Sequence, residues 1–166
     1  RMRSIIYTQF DSPFGTMAIA RTQKVICRVL FPEEKPFHKT LSTVYPNQTV
    51  VQNPDPFTKE LSQLKQYFSG KKVQFEVTFD LTMPPFYSEV LTEVHKISYG
   101  KTASYKDIAE RVRNPGAVRA VGSANAQNPV PIIIPCHRVI AHDGSLGGYG
   151  GNLDKKYFLL RLEEAI

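Results

Sequence analysis

Two consecutive prolines in Met83-Pro84-Pro85 constrain this chain more than any other stretch. Each proline lacks a backbone donor, fixes its own φ and restricts the residue before it, so neither a helix interior nor a central strand runs through the pair. The 166 residues therefore divide into 1–84 and 85–166, each within the size range of a small independent domain.

The first half opens with apolar, β-branched runs at 4–10, 15–20 and 25–31, separated by Asp11-Ser12-Pro13-Phe14-Gly15 and Arg21-Thr22-Gln23-Lys24. Runs of that length between turn residues predict an antiparallel meander. Cys27 sits inside the third run beside Ile26, where a free cysteine serves as a small buried apolar side chain. Residues 32–55 lack periodicity and read as loop with one short helix. Phe57, Leu61, Leu64, Tyr67 and Phe68 mark one face of a helix ending at Gly70, and 73–79 alternate like a half-buried strand. This is a small α/β domain without evident chemistry.

The second half begins with a helical pattern, Phe86, Val90, Leu91, Val94 and Ile97, that stops at Tyr99-Gly100. Ser104, followed three residues later by Asp107, resembles a capping box opening a helix over 105–112, which Asn114-Pro115-Gly116 terminates. Residues 117–126 then read as a helix of unusually small side chains. Two short helices around a tight turn fit a helix-turn-helix whose second helix approaches DNA; the small residues equally fit close packing against neighbouring helices. Further on, Pro131-Ile132-Ile133-Ile134 reads as a core strand leading into Pro135-Cys136-His137-Arg138-Val139. Cysteine attacks as thiolate, and His137 and Arg138 offer a base and a positive charge to generate it, although a bare Cys-His pair also fits a buried core cysteine. Residues 143–151 contain five glycines in nine positions, a pattern that suits close approach of a ligand to backbone. Asp154 is placed to cap the last helix, in which Tyr157, Phe158, Leu160 and Leu162 supply apolar contacts. Glu163 and Glu164 lie at its C-terminus, against the helix dipole, and that placement calls for a reason.

Composition narrows the function classes. No apolar run approaches the roughly 20 residues of a membrane span, and no secretory leader precedes the first strand, so the expected location is cytoplasmic, or nuclear in a eukaryote. Arg1 before Met2 reads as an extra residue ahead of the natural start. Two cysteines make no disulfide framework, and Cys27, His38 and His95 offer no zinc-ligand spacing, so both thiols are expected reduced and no metal is expected. The net charge of +6 permits a polyanionic partner, yet residues 1–84 hold eleven basic against seven acidic side chains and 85–166 hold ten against eight. The half with the DNA-binding pattern is the less basic one, so a nucleic-acid reading must rest on motif.

The stretch Asn128-Pro129-Val130-Pro131-Ile132-Ile133-Ile134-Pro135-Cys136-His137-Arg138-Val139-Ile140, followed by Gly144-Ser145-Leu146-Gly147-Gly148-Tyr149-Gly150-Gly151, resembles the O6-alkylguanine-DNA alkyltransferases. The likeness extends to Ser104-Tyr105, Asn114-Pro115 and Arg119-Ala120-Val121-Gly122. It implies an N-terminal ribonuclease H-like α/β domain and a mainly α C-terminal domain with a winged helix-turn-helix. It also implies irreversible, single-turnover transfer of an alkyl group from O6 of guanine, and secondarily O4 of thymine, in duplex DNA to Cys136, without a cofactor. By the same resemblance Cys136, a water, His137 and Glu163 form a relay, Asn128 fixes the turn before the active-site segment, and Tyr105 crowds the target phosphate and protonates the leaving base. Because successive strand residues face opposite ways, a water or a local bend must join Cys136 to His137.

The resemblance further places Arg119 in the gap left by a flipped nucleotide, with Ala117, Ala120, Gly122, Ser123 and Ala124 against the minor groove. Pro131, Val139, Gly147, Tyr149, Gly150 and Gly151 line the pocket, whose small residues predict tolerance of a bulky O6 substituent such as benzyl. Gly150 stands where many relatives carry serine or alanine, and Asn152 where many carry glycine. His142, in the wing, is expected to be exposed. The partner is alkylated double-stranded DNA, with no membrane and no obligate protein partner, and the protein is expected to be a monomer. Three alternatives remain. A non-catalytic lesion-binding relative carries tryptophan at the cysteine position, but this chain has Cys136 and no Trp. A cysteine hydrolase would turn over, and a winged-helix regulator would bind a specific undamaged sequence.

Overall fold

The computed structural model describes residues 3–148 and 152–166. Tyr149, Gly150 and Gly151 of the expected pocket lie outside the described residues. The chain forms two compact units, Arg1–Asp80 and Leu81–Ile166.

The first unit is built on the expected meander: β1 (Ser4–Ser12), β2 (Gly15–Arg21) and β3 (Ile26–Leu30) pair antiparallel in sequence order. A short helix α1 (Phe37–Val44) then leads to β4 (Thr49–Gln52), which joins β1 in parallel and gives the order β3-β2-β1-β4. The sequence reading had no strand at β4, because a four-residue edge strand with one buried side chain carries no periodicity. Ile5, Ala18, Ala20, Leu30, Phe37 and Leu41 form the core beside Cys27, which is buried. Helix α2 (Thr58–Phe68) follows as expected, burying Leu64 and Tyr67. Residues 73–79 keep an alternating burial pattern but form no strand; they touch the sheet through a single parallel bridge, Ile26 to Phe79.

In the second unit Pro84 is the N-cap and Pro85 the first residue of α3 (Pro85–His95), where a missing donor costs nothing. Helices α4 (Tyr105–Arg111) and α5 (Val118–Ala126) form the helix-turn-helix pair, and α3 packs on both. The turn begins with a Schellman closure: Asn114 N–H donates to the Ala109 carbonyl and Arg113 N–H to Glu110, with Arg113 at φ 60°. Two short strands, β5 (Ala103–Ser104) and β6 (Val139–Ile140), pair in parallel and bring the start of α4 beside the end of the Cys-His-Arg segment. The chain closes with α6 (Leu153–Leu162). Its N-cap is Asn152, whose Oδ1 accepts the Lys155 N–H at 2.9 Å, and the expected cap Asp154 lies two residues further on, inside the first turn.

Candidate active site

The expected strand over Pro131 to Ile134 is instead a buried turn. Asn128 builds it with both ends of its amide: Oδ1 accepts the Val130 N–H at 3.0 Å and Nδ2 donates to the Ile134 carbonyl at 2.8 Å, while Ile134 N–H donates to the Val130 carbonyl at 2.9 Å. These bonds hold Ile132 at φ 75°, a left-handed conformation that strains a β-branched residue by about 1–3 kcal/mol. Pro135 then makes an inverse γ-turn (φ −81°, ψ 64°) closed by Cys136 N–H to the Ile134 carbonyl at 2.8 Å. Cys136–Arg138 form one 3-10 turn. The local bend that the sequence reading needed between Cys136 and His137 is therefore the backbone itself.

All three side chains of that turn are buried, with His137 fully so. Its Nε2 meets Glu163 Oε2 at 2.5 Å. Arg138 forks onto the same carboxylate, Nε to Oε1 at 2.8 Å and Nη2 to Oε2 at 3.1 Å, while Nη1 donates to the Ile97 carbonyl at 2.7 Å. Gly100 N–H adds a further bond to Oε1 at 3.1 Å. Arg138 thus serves the carboxylate, where the sequence reading had it charging the thiol. Glu163 caps the C-terminus of α6 in a Schellman closure, with Ala165 N–H on Leu160 and Glu164 N–H on Arg161. That geometry puts Glu164 at φ 56° and on the surface, and turns Glu163 inward. The donors gathered there outweigh the dipole at the helix end.

Protonation follows from burial and partners. Burial alone would raise Glu163, but the hydrogen bonds and charges of His137 and Arg138 outweigh it and hold the carboxyl at about 2. Burial pushes His137 below its ordinary value, against the pull of Glu163. At neutral pH the pair is an ionised carboxylate and a neutral imidazole whose Nε2–H is donated to it. Nδ1 is left as the basic nitrogen.

Tyr105 opens α4 because Ser104 and Asp107 close a capping box, Ser104 Oγ accepting the Asp107 N–H and Asp107 Oδ2 the Ser104 N–H, each at 2.9 Å. The phenol is half-buried and donates to the Gly148 carbonyl at 3.2 Å. Burial raises its pKa, the nearby Cys136 charge raises it further, and a hydrogen bond from Asn125 lowers it. Gly147, at φ 70°, lies against the ring: a Cβ there would sit 2.8 Å from Tyr105 Cε2.

Lys156, which the sequence reading passed over, completes the site. It has no solvent exposure, and its ammonium donates to the Val139 carbonyl at 2.6 Å, the Gly148 carbonyl at 3.1 Å and Tyr105 Oη at 3.5 Å, lying 5.6 Å over the Tyr105 ring. Burial lowers its pKa to about 8, with the Cys136 charge acting in the opposite sense. Lysine has three protons, so all three are committed, and Tyr105 Oη, accepting from Lys156, keeps its own single proton on the Gly148 carbonyl. Tyr157 and Phe158, expected to supply apolar contacts, are instead 50% and 38% exposed, while Lys155 and Lys156 are buried. The signal was available, since Leu159, Leu160 and Glu163 define the inner face and positions 155 and 156 lie four residues earlier on it.

On α5, Arg119, Ala120 and Ser123 are exposed and Ala117 and Gly122 half-exposed, whereas Val121 and Asn125 face inward, and so does Ala124, which is fully buried and not on the face expected to meet the minor groove. A Cβ at Gly122 would meet nothing within 4 Å. Pro131 and Val139 are buried and His142 is exposed. No helix among the described residues is long and apolar enough to cross a membrane.

The DNA binding domain family of 6-O-methylguanine DNA methyltransferase matches residues 85–165, and the ribonuclease-like domain family of the same proteins matches residues 5–81. The chain belongs to the 6-O-methylguanine DNA methyltransferase family. Its relatives include the methylated-DNA–protein-cysteine methyltransferase of Mycolicibacterium paratuberculosis, 40% identical over 160 residues that span 96% of this chain and 92% of that protein. The methyltransferase of the same name from Methanosarcina mazei is 40% identical over 95% of this chain and 96% of its own length. Among solved structures, the crystal structure of Mycobacterium tuberculosis OGT in complex with DNA superposes with a TM-score of 0.85 at 37% identity, covering 96% of this chain and 93% of that one. The fold is thus the family's own, a ribonuclease-like domain followed by a DNA-binding domain.

Proposed function

We propose that this protein repairs duplex DNA by taking the alkyl group from O6 of guanine onto Cys136, once per molecule and without turnover. The observation that carries the reading is the buried set of Cys136, neutral His137 and ionised Glu163, in a chain whose relatives are methylated-DNA–protein-cysteine methyltransferases. Transfer is a substitution at carbon: the Cys136 sulfur forms the new S–C bond as the C–O bond to guanine breaks. The thiol proton passes to His137 Nδ1, through a water in the family's relay, and the imidazolium is stabilised by Glu163. The departing guanine gains electron density and takes the Tyr105 proton, after which the phenolate lies beside the Lys156 ammonium. The proton that leaves sulfur and the proton that reaches the base are therefore handled by different residues on opposite sides of the reacting carbon.

The target carbon is hidden in a base stack, so the nucleotide must be swung out. On this reading Arg119 fills the gap, Ala117, Ala120, Gly122 and Ser123 lie close to the minor groove, and Asn128 keeps the nucleophile's turn in shape. By the same reading Pro131, Val139 and Gly147 border the base. It also makes the residues from Leu81 to Pro84 the link between the two domains, with one monomer acting alone. Incubation with a duplex containing O6-methylguanine, followed by intact mass, tests the reading. One added methylene equivalent per chain, absent in Cys136→Ala, is expected; repeated turnover, or no mass change, would sink it.

A further inference from the structure

Asn125 has no part in the chemistry described above, yet it lies against two of the residues that carry it, Cys136 and Tyr105. It is 5% exposed on the inner face of α5, between Val121 and Ala124, where an apolar side chain would be ordinary. Its Nδ2 donates to the Cys136 carbonyl at 3.1 Å, and its amide lies close enough to the Tyr105 phenol to favour the ionised form of that group. Its Oδ1 is buried and, among the described residues, has no hydrogen-bond partner. The Cys136 carbonyl already accepts the Val139 N–H, so the bond from Asn125 is a second one that the backbone does not need. A side chain that leaves one polar atom unsatisfied in order to make a dispensable bond is a poor structural choice.

We propose that Asn125 is a positioning residue that links the exposed, DNA-facing side of α5 to the chemistry, by holding the peptide of the nucleophile and the phenol of the proton donor at a fixed separation. This rests on the alkyl-transfer reading above. Seating Arg119 and Ser123 on DNA fixes α5, and Asn125, on the opposite face of the same rigid helix, passes that register to Cys136 and Tyr105 together. The attacking sulfur and the donor hydroxyl must bracket one base simultaneously, and misplacement of either by about an ångström is enough to slow such a step a hundredfold.

The test compares wild type, Asn125→Leu and Asn125→Ala in single-turnover transfer from a duplex bearing O6-methylguanine. The saturating rate constant, the duplex Kd (measured in the Cys136→Ala background) and the Tm are read separately. The expected result is a saturating rate at least tenfold lower in both variants, with Kd within twofold of wild type and the Tm of the leucine variant equal or higher. A residue that only packs the helix would lower Tm and leave the saturating rate of the folded protein unchanged. Saturating rates within twofold of wild type in either folded variant overturn the proposal, as does a loss confined to Kd. Alanine suits a helix already rich in small residues and carries the test should leucine not be accommodated. If wild type itself transfers nothing, the alkyl-transfer reading fails instead.

Discussion

Replacing Gly147 with alanine probes the packing of Tyr105, the proposed proton donor. Gly147 has φ 70°, and an alanine Cβ there would lie 2.8 Å from Tyr105 Cε2, 3.0 Å from Oη and 3.3 Å from Cζ. The left-handed backbone costs alanine about 1 kcal/mol. Overlap with a packed ring costs about 1–3 kcal/mol more. A total of about 2–4 kcal/mol is large enough to be relieved by movement of the half-buried ring away from the loop. That displacement weakens the Tyr105 bonds to the Gly148 carbonyl and the Lys156 ammonium together. The expected outcome for Gly147→Ala is a Tm lowered by several degrees and single-turnover alkyl transfer slowed at least tenfold. On a Tyr105→Ala background there is no ring to meet, so the added loss should shrink below about threefold, a coupling that a double-mutant cycle measures directly. Wild-type rate and Tm in Gly147→Ala, or an equal loss on both backgrounds, would refute the argument.

Three other outcomes follow from the same network. Glu163 is held at about 2 against an ordinary 4.5, so its ionisation stabilises the fold fully above pH 4.5, and that support is lost as pH falls toward 2. Glu163→Gln should lose about 3 kcal/mol at pH 7, show a flatter stability profile between pH 5 and 2 in urea unfolding, and transfer at least a hundredfold more slowly. Lys156 at about 8 loses its proton in the folded state first, so the wild-type fold gains stability as pH rises from about 8 toward 10.5; Lys156→Met should abolish that gain, and with it any fall of the transfer rate above pH 8. Asn128→Ala removes both bonds of the buried turn and should cost about 2 kcal/mol in denaturant unfolding while slowing transfer, because Ile132 is then free to leave its strained conformation.

Much of this fold could be read from pattern because the pattern was local. The meander needs only alternation and turn residues, and Ser104 with Asp107 announces α4 within four positions. The missing strand β4 and the absent strand at 73–79 depend instead on which neighbour a segment meets, a long-range fact that alternation does not encode. At the site, Cys136, His137 and Glu163 were legible through resemblance to a family, whereas the turn that replaces the strand over Pro131 to Ile134 depends on both ends of one asparagine amide. Lys156 and Asn125 escaped for a simpler reason. Lysine is assumed to face solvent and a short polar residue on a small-residue helix to face DNA, and only the packing of α5 and α6 shows the reverse.

The depth of Cys136 bears on how long an unreacted molecule stays useful. With 5% of its surface exposed and its neighbours in the turn equally enclosed, the thiol is shielded from peroxide, disulfides and soluble electrophiles that would oxidise or cap an open cysteine. A reagent that works a single time must survive its wait. Burial in the turn that follows the strained Ile132 gives this protein that shelf life.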